Sequence, residues 1–170
     1  MAKILNPTGG NVFSAKSFTL EGGQRPWREI RHRYPSGGTL NADALDKFKA
    51  VSGGYVLPAG TPVSLSSYVA TPYLAYSATS TYKAGEGIIQ SNKLYVAKAD
   101  IDTAEAFTAA HWTEVTKLSG FTQDDVVIDS DTTSATVTVV YAGELYAYMY
   151  AAADITALKN TAPAEIHFVE

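Results

Sequence analysis

Gly53-Gly54-Tyr55-Val56-Leu57-Pro58-Ala59-Gly60-Thr61-Pro62-Val63 is the stretch from which the fold is read. Its glycine pair lets the chain turn, Tyr55-Val56-Leu57 suits the start of a strand, and Pro58-Ala59-Gly60 supplies a tight corner before Thr61-Pro62-Val63. Proline cannot donate to a strand ladder and is tolerated at strand starts and edges, so two short edge strands about a corner fit better than any helix. The residues before the corner read as an arm. Those after it read as a compact β body carrying one inserted module.

The chain of 170 residues is long enough to bury a core, and its 46% apolar and 18% charged composition excludes global disorder. Eleven tyrosines and many Thr and Val residues after Gly54 favour pleated, half-buried surfaces, so the expected class is mainly β. Without cysteine there is no disulfide framework, thiolate zinc site or thiol nucleophile. The opening Met-Ala-Lys-Ile-Leu-Asn-Pro lacks the apolar run of a signal peptide, and no stretch approaches the roughly 20 apolar residues of a membrane helix. A protein made in its producer's cytoplasm, with no membrane partner, is expected.

Charge is divided unevenly. Residues 1–50 carry eight Lys or Arg against four Asp or Glu, a net +4, whereas residues 51–170 carry five against thirteen, a net −8. A basic front on an acidic body points to an acidic partner for the front. Within residues 1–38, three Gly-Gly pairs and Pro7, Pro26 and Pro35 interrupt every candidate element, predicting an extended arm that gains order on a partner. Its densest part, Arg25-Pro26-Trp27-Arg28-Glu29-Ile30-Arg31-His32-Arg33-Tyr34, mixes four arginines with two aromatics. That mixture serves nucleic acids through phosphate pairing and stacking, and protein interfaces through Trp, Tyr and Arg anchors. The acidic whole favours the protein interface, with no nucleic-acid partner. Residues 1–52 are completed by a short helix, capped by Asn41 and carrying Leu45, Phe48 and Val51 on one side.

After the corner, Pro62-Val63-Ser64-Leu65 and the run from Tyr68 to Tyr76 read as strands. The serines between them have neither a Gly-x-Ser-x-Gly context nor a histidine partner. No nucleophile and base pair, metal set or phosphate-cradling loop is recognisable, so neither an enzyme nor a cofactor is expected. Asp124, Asp125, Asp129 and Asp131 lack calcium-loop spacing and read as a solvated turn. Near the C-terminus, alternation from Glu144 to Tyr150 places Tyr146, Tyr148 and Tyr150 on one strand face, a candidate contact between copies. Asp154 is placed to cap a short helix to Lys159, and Ile166 to Val169 makes a last strand.

Residues 79–117 form a unit of their own in this reading. Ile88-Ile89-Gln90 and Leu94-Tyr95-Val96-Ala97 are strands joined through Ser91-Asn92-Lys93, a hairpin signal. The order Tyr82, Gly87, an apolar pair, Asn92-Lys93, Leu94-Tyr95-x-Ala97-Lys98 and Trp112-x-x-Val115 is similar to the small three-stranded carbohydrate-binding modules of chitinases, which also occur as inserts in phage structural proteins. The resemblance implies Tyr82, Tyr95 and Trp112 as candidate glycan contacts. Sugar-binding members carry exposed rings after the Ala-Lys pair, where Ala99-Asp100-Ile101-Asp102 stands here. For so small a unit the same three rings are also the natural core, and that reading is preferred.

A second resemblance spans residues 53–76 and 118–170. Gly54-x-Val56-Leu57-Pro58-Ala59-Gly60-Thr61-Pro62-Val63, Gly120-Phe121-x-x-x-Asp125-Val126-x-Ile128-Asp129, a Thr/Val strand and Ala142-Gly143-Glu144-Leu145 resemble the capsid decoration and head-fibre proteins of tailed bacteriophages. The resemblance implies a small β-tulip or barrel-like body in two pieces, 53–78 and 118–170. It also implies a non-enzymatic virion protein on the outer capsid surface, bound to the major capsid protein and to itself as a homotrimer. Capsid contacts are expected at Arg25, Trp27, Arg28, Arg31, Arg33 and Tyr34. The alternative is an attachment protein of a tail or fibre that binds host-surface or mucus glycans through the inserted module.

Overall fold

The computed structural model describes residues 26–41, 48–51, 54–129 and 134–170. Arg25 and the middle of the expected helix, residues 42–47, lie outside them, as does Asp131. The chain is mainly β. Before the corner come β1 (Trp27–Arg33), β2 (Gly38–Asn41), β3 (Lys49–Val51) and β4 (Gly54–Leu57). After it come β5 (Pro62–Ser66), β6 (Val69–Ala75), β7 (Gly87–Gln90), β8 (Lys93–Ala97) and β9 (Trp112–Val115). The last third holds β10 (Gly120–Thr122), β11 (Val126–Asp129), β12 (Ser134–Val137), β13 (Val139–Tyr146), helix α1 (Ala152–Thr161) and β14 (Ile166–Val169). Among the described residues, eleven strands join one open sheet along the path β1-β13-β10-β5-β6-β7-β8-β9, with β2, β12 and β14 attached beside it. The other three form the small sheet β11-β4-β3, and neither sheet closes into a barrel.

The Pro58 corner lies where these parts meet. Gly60 takes φ +76°, and a Cβ there would fall 2.8 Å from Pro26 and 3.0 Å from the Tyr150 hydroxyl, so glycine is required both for conformation and for space. Thr122 on β10, fully buried, satisfies the corner. Its hydroxyl donates to the Pro58 carbonyl (2.8 Å) and accepts from the Thr61 amide (2.9 Å). Its carbonyl accepts from the Gly60 amide (2.8 Å) and the Trp27 indole N–H (3.0 Å). The Tyr150 hydroxyl donates to the Gly60 carbonyl, and the Ala59 amide donates to Asp125. The start of β1 and the segment after β13 are thus tied to one turn whose polar groups find partners, which is what burial of a corner demands.

The strands flanking the corner are not edges. β5 lies between β10 and β6, and β4 between β11 and β3. Pro62 is accommodated because it opens β5, opposite Phe121. Pro72 sits inside β6, where the outer partner changes: β2 pairs with Val69 and Ala70, and β7 with Tyr73, Leu74 and Ala75. The proline falls in the gap between those two partners.

Two expectations about the N-terminal third are corrected. Residues 27–33 are not an arm without a core: β1 pairs antiparallel with β13 from Trp27↔Leu145 to Arg33↔Val140. The fully buried Leu40 on β2 packs with Phe48, Leu57, Val63, Ile128 and Val137. The interrupting prolines and glycines hide this because β1 and β2 are recruited by distant residues of β13 and β12 rather than by each other. The helix expected over 41–52 is replaced at both ends by strand, Asn41 closing β2 and Lys49–Val51 forming β3. Near the C-terminus, α1 begins after Ala151 with no side-chain cap, and Asp154 lies in its first turn. Burial holds the Asp154 carboxyl above its usual range.

The unit read as an insert shares its sheet and core with the body. β7, β8 and β9 are three antiparallel strands, but β7 runs parallel to the second half of β6. One face of this hairpin unit, Ile89 and Leu94 with Val96 and Val115 against them, joins Tyr73, Phe121, Leu145 and Leu158 in the main core. The opposite face, Ile88, Ala97 and Trp112, packs with Tyr82 and Ile101 in a second cluster. Strand alternation therefore assigns one side of the unit to the body and the other to itself.

Candidate interaction surface

β1 carries four of the expected capsid contacts, Trp27, Arg28, Arg31 and Arg33, with Tyr34 just beyond it, and each is held differently. Trp27 is half-buried, donates its indole N–H to Thr122 and meets Phe121 edge to face, at 6.5 Å between ring centres. It is anchored to the core and only its half-buried remainder faces outward. The next six residues are exposed on both strand faces. Arg28 approaches Glu144 at 3.5 Å, and Arg31 pairs with Glu29 (3.1 Å) and Glu144 (3.0 Å). Arg33 donates to the Gln123 side-chain oxygen. Tyr34 packs on Tyr141 at 4.9 Å, and His32 stacks on the same ring at 5.9 Å. No local pattern marks Glu144 or Tyr141 as partners, since both lie more than 100 residues away.

Exposed pairs of this kind contribute about 0–1 kcal/mol each, so they orient the guanidinium groups without committing them. A partner's carboxylates can exchange for Glu29 and Glu144 at little cost. Ile30, 38% exposed between the arginines, and Tyr34 at 37% add apolar area to this rim. β1 is the end of the long sheet path among the described residues, so basic, aromatic and aliphatic groups are presented together at a sheet edge.

The three C-terminal tyrosines do not form one face, a correction to that expectation. β13 ends at Tyr146, and residues 147–149 form a single 3₁₀ turn that destroys the alternation. Tyr146 and Tyr148 remain neighbours at 5.2 Å, Tyr148 being 59% exposed. Tyr150 turns inward against Phe121 and Phe168, and burial pushes its hydroxyl well above the usual tyrosine range.

The candidate glycan rings are equally divided. Tyr82 and Trp112 are 4% and 3% exposed and meet edge to face at 5.1 Å. They are core, as the preferred sequence reading has it. Tyr95 is half-buried and packs on Phe107, whose ring also stacks on Trp112. Beside them the exposed His111 Nδ1 lies 2.6 Å from Glu105, and Lys83 bridges Asp100 and Asp102. Among the described residues no group of three or more His, Asp or Glu side chains is placed to hold a metal ion.

By sequence, Tyr68 reads only as the beginning of a strand. It is instead the second residue of a two-residue turn between β5 and β6, at φ +70°, and is 70% exposed. Nothing in its local sequence marks a left-handed tyrosine.

Set beside known families, curated proteins and solved structures, the chain matches none of them.

Proposed function

We propose that this chain is a structural virion protein of a tailed bacteriophage, a capsid decoration or head-fibre component seated on the outer shell as a homotrimer. The observation that carries the reading is the β1 rim: six consecutive exposed residues, three of them arginines in exchangeable polar pairs, with Ile30 among them and Tyr34 beside them. Such a surface suits an acidic, partly apolar protein partner, here the major capsid protein. The resemblance of the Pro58 corner and of residues 120–129 to that group of proteins supports the same reading. Arg28, Arg31, Arg33 and Tyr34 make the shell contact, with Trp27 fixing the strand beneath them.

The test is co-sedimentation of the full chain with shells assembled from the major capsid protein encoded in the same genome. Wild type pellets with shells and is released by salt, whereas the Arg28→Glu/Arg33→Glu double variant stays in the supernatant while remaining folded by circular dichroism. Salt-independent pelleting of the double variant would defeat the reading.

A further inference from the structure

Along β1 the register against β13 slips twice in the same sense. From Trp27 to Glu29 the strand advances two residues while β13 advances one, from Leu145 to Glu144, and from Ile30 to His32 it again advances two while β13 moves from Gly143 to Ala142. The extra residues are Arg28 and Arg31. Three positions apart, they would point to opposite faces of a regular strand. Bulges re-aim side chains, and here both guanidinium groups reach one carboxylate: Arg28 Nη1 lies 3.5 Å from Glu144 Oε2, and Arg31 Nη2 donates to Glu144 Oε1 at 3.0 Å. One arginine therefore sits on each oxygen. Glu29 also pairs with Arg31, at 3.1 Å, but among the described residues only Glu144 spans both arginines.

The two arginine side chains are 59% and 41% exposed, so this arrangement adds little to the stability of the chain. What it displays, at the end of the long sheet path among the described residues, is a place for a carboxylate. A bulged edge resists main-chain pairing with a further strand, so a partner meets this rim through side chains. We infer that Arg28 and Arg31 form a clamp for a carboxylate side chain of the protein that docks on β1, and that Glu144 is its resident occupant, standing in for the partner's Asp or Glu until docking displaces it. The identity of that partner rests on the shell-binding reading, whereas the chemistry of the clamp does not. Glu144 thereby sets the affinity of the rim: it keeps the two guanidinium groups aligned and competes with the incoming carboxylate from within the same chain.

Glu144→Gln keeps the shape of the side chain and removes its charge. The exposed Glu165, which acts on Arg31 through its charge, supplies a control of equal charge change, Glu165→Gln. The full chain and its variants, each folded by circular dichroism, are titrated at low salt into a labelled hexaglutamate peptide, read by fluorescence anisotropy, and are co-sedimented with assembled shells. Glu144→Gln is expected to tighten both about three- to tenfold, the release of two exposed ion pairs, and Glu165→Gln to change them by less than about twofold. Adding Arg28→Gln and Arg31→Gln to Glu144→Gln removes the gain. Failure of Glu144→Gln to gain over wild type on the peptide overturns the clamp, whatever the shells do. So does an equal gain from Glu165→Gln, or a gain that survives loss of both arginines, since either reduces the effect to net charge. A gain on the peptide with no gain on shells that bind wild type overturns the part of Glu144 in docking. Shells that bind no variant, with the peptide ranked as expected, overturn the shell-binding reading and leave the clamp standing.

Discussion

Ser67-Tyr68 and Ser91-Asn92 close two hairpins with nearly the same backbone, φ +49° and +70° in the first and +50° and +61° in the second. Asn92 is a residue that enters the left-handed region readily, and its hairpin is readable from the sequence. Tyr68 is not, and its hairpin is invisible there. The second turn is shaped by local chemistry. The first is imposed by its surroundings, with strands β5 and β6 paired on either side and β2 bonded to its carbonyl. Where local preference and tertiary structure disagree, the tertiary contacts decide the conformation and the turn carries the strain.

The largest expected effect asks whether the second hairpin is as self-contained as its clear sequence signal implies. Leu94, at the foot of that turn, is fully buried in the same cluster as Phe121 and Leu158. Leu94→Ala is expected to destabilise the whole chain by about 3 kcal/mol, in one cooperative urea transition seen by tryptophan fluorescence and circular dichroism alike. Two separate transitions, with only the Trp112 signal shifted, would make residues 79–117 an independent module. Next in size is Thr122→Val, which keeps the shape but strips the Pro58 corner of a donor and an acceptor. A loss of about 1–2 kcal/mol in the same titration is expected, because the Thr61 amide keeps only its longer bond to the Pro58 carbonyl (3.3 Å) in a buried site. Indifference to this change would mean that the corner is held by its remaining bonds, from the Gly60 amide to the Thr122 carbonyl, the Tyr150 hydroxyl to the Gly60 carbonyl and the Ala59 amide to Asp125, together with the left-handed Gly60.

Exchanging the residues of the two tips sharpens the comparison directly. Asn92→Tyr should cost about 1 kcal/mol and Tyr68→Asn should return about as much, each a shift of about 2–4 °C in the thermal midpoint for a chain of this size. The double exchange should leave the midpoint near wild type. If Tyr68→Asn instead destabilised the protein, the ring would be contributing to the monomer despite its exposure.

Legibility in the sequence divides along the same line. The Ser91-Asn92 turn, β14, and β4 and β5 around the corner can be read because turn residues and strand-formers act over a few positions. β1 cannot, since its partner β13 begins over 100 residues later and its own sequence is mostly charged. The arginines are recognisable as contact candidates from composition alone. That Trp27 faces inward depends on the Thr122 carbonyl and the Phe121 ring, which no local pattern reveals. Likewise the alternation towards Tyr150 is sound only as far as Tyr146, where the 3₁₀ turn at 147–149 breaks its period.

The smallest effect separates the hairpin unit from the helix by their response to acid. Asp100 accepts from the Ala84 amide (2.9 Å) and from Lys83, and these bonds hold its carboxyl below the usual range. Its ionised form is favoured by the fold, so its contribution is present above the unfolded carboxyl value, about pH 4, and is lost as pH falls through the lower folded value. Asp154 behaves oppositely: burial raises its carboxyl, so its contribution is present below the unfolded value and is lost as pH rises through the folded one. Asp100→Asn should therefore flatten the acid side of a midpoint against pH profile, and Asp154→Asn should flatten the rise in cost just above it. Because Asp100 lies at the exposed surface its effect is modest and salt-sensitive. An acid limb unchanged by Asp100→Asn would mean that the loop carrying Lys83 and Ala84 is held by its other bonds, the Tyr82↔Ile101 pairing and the Lys83 amide to the Glu86 carboxylate, rather than by Asp100.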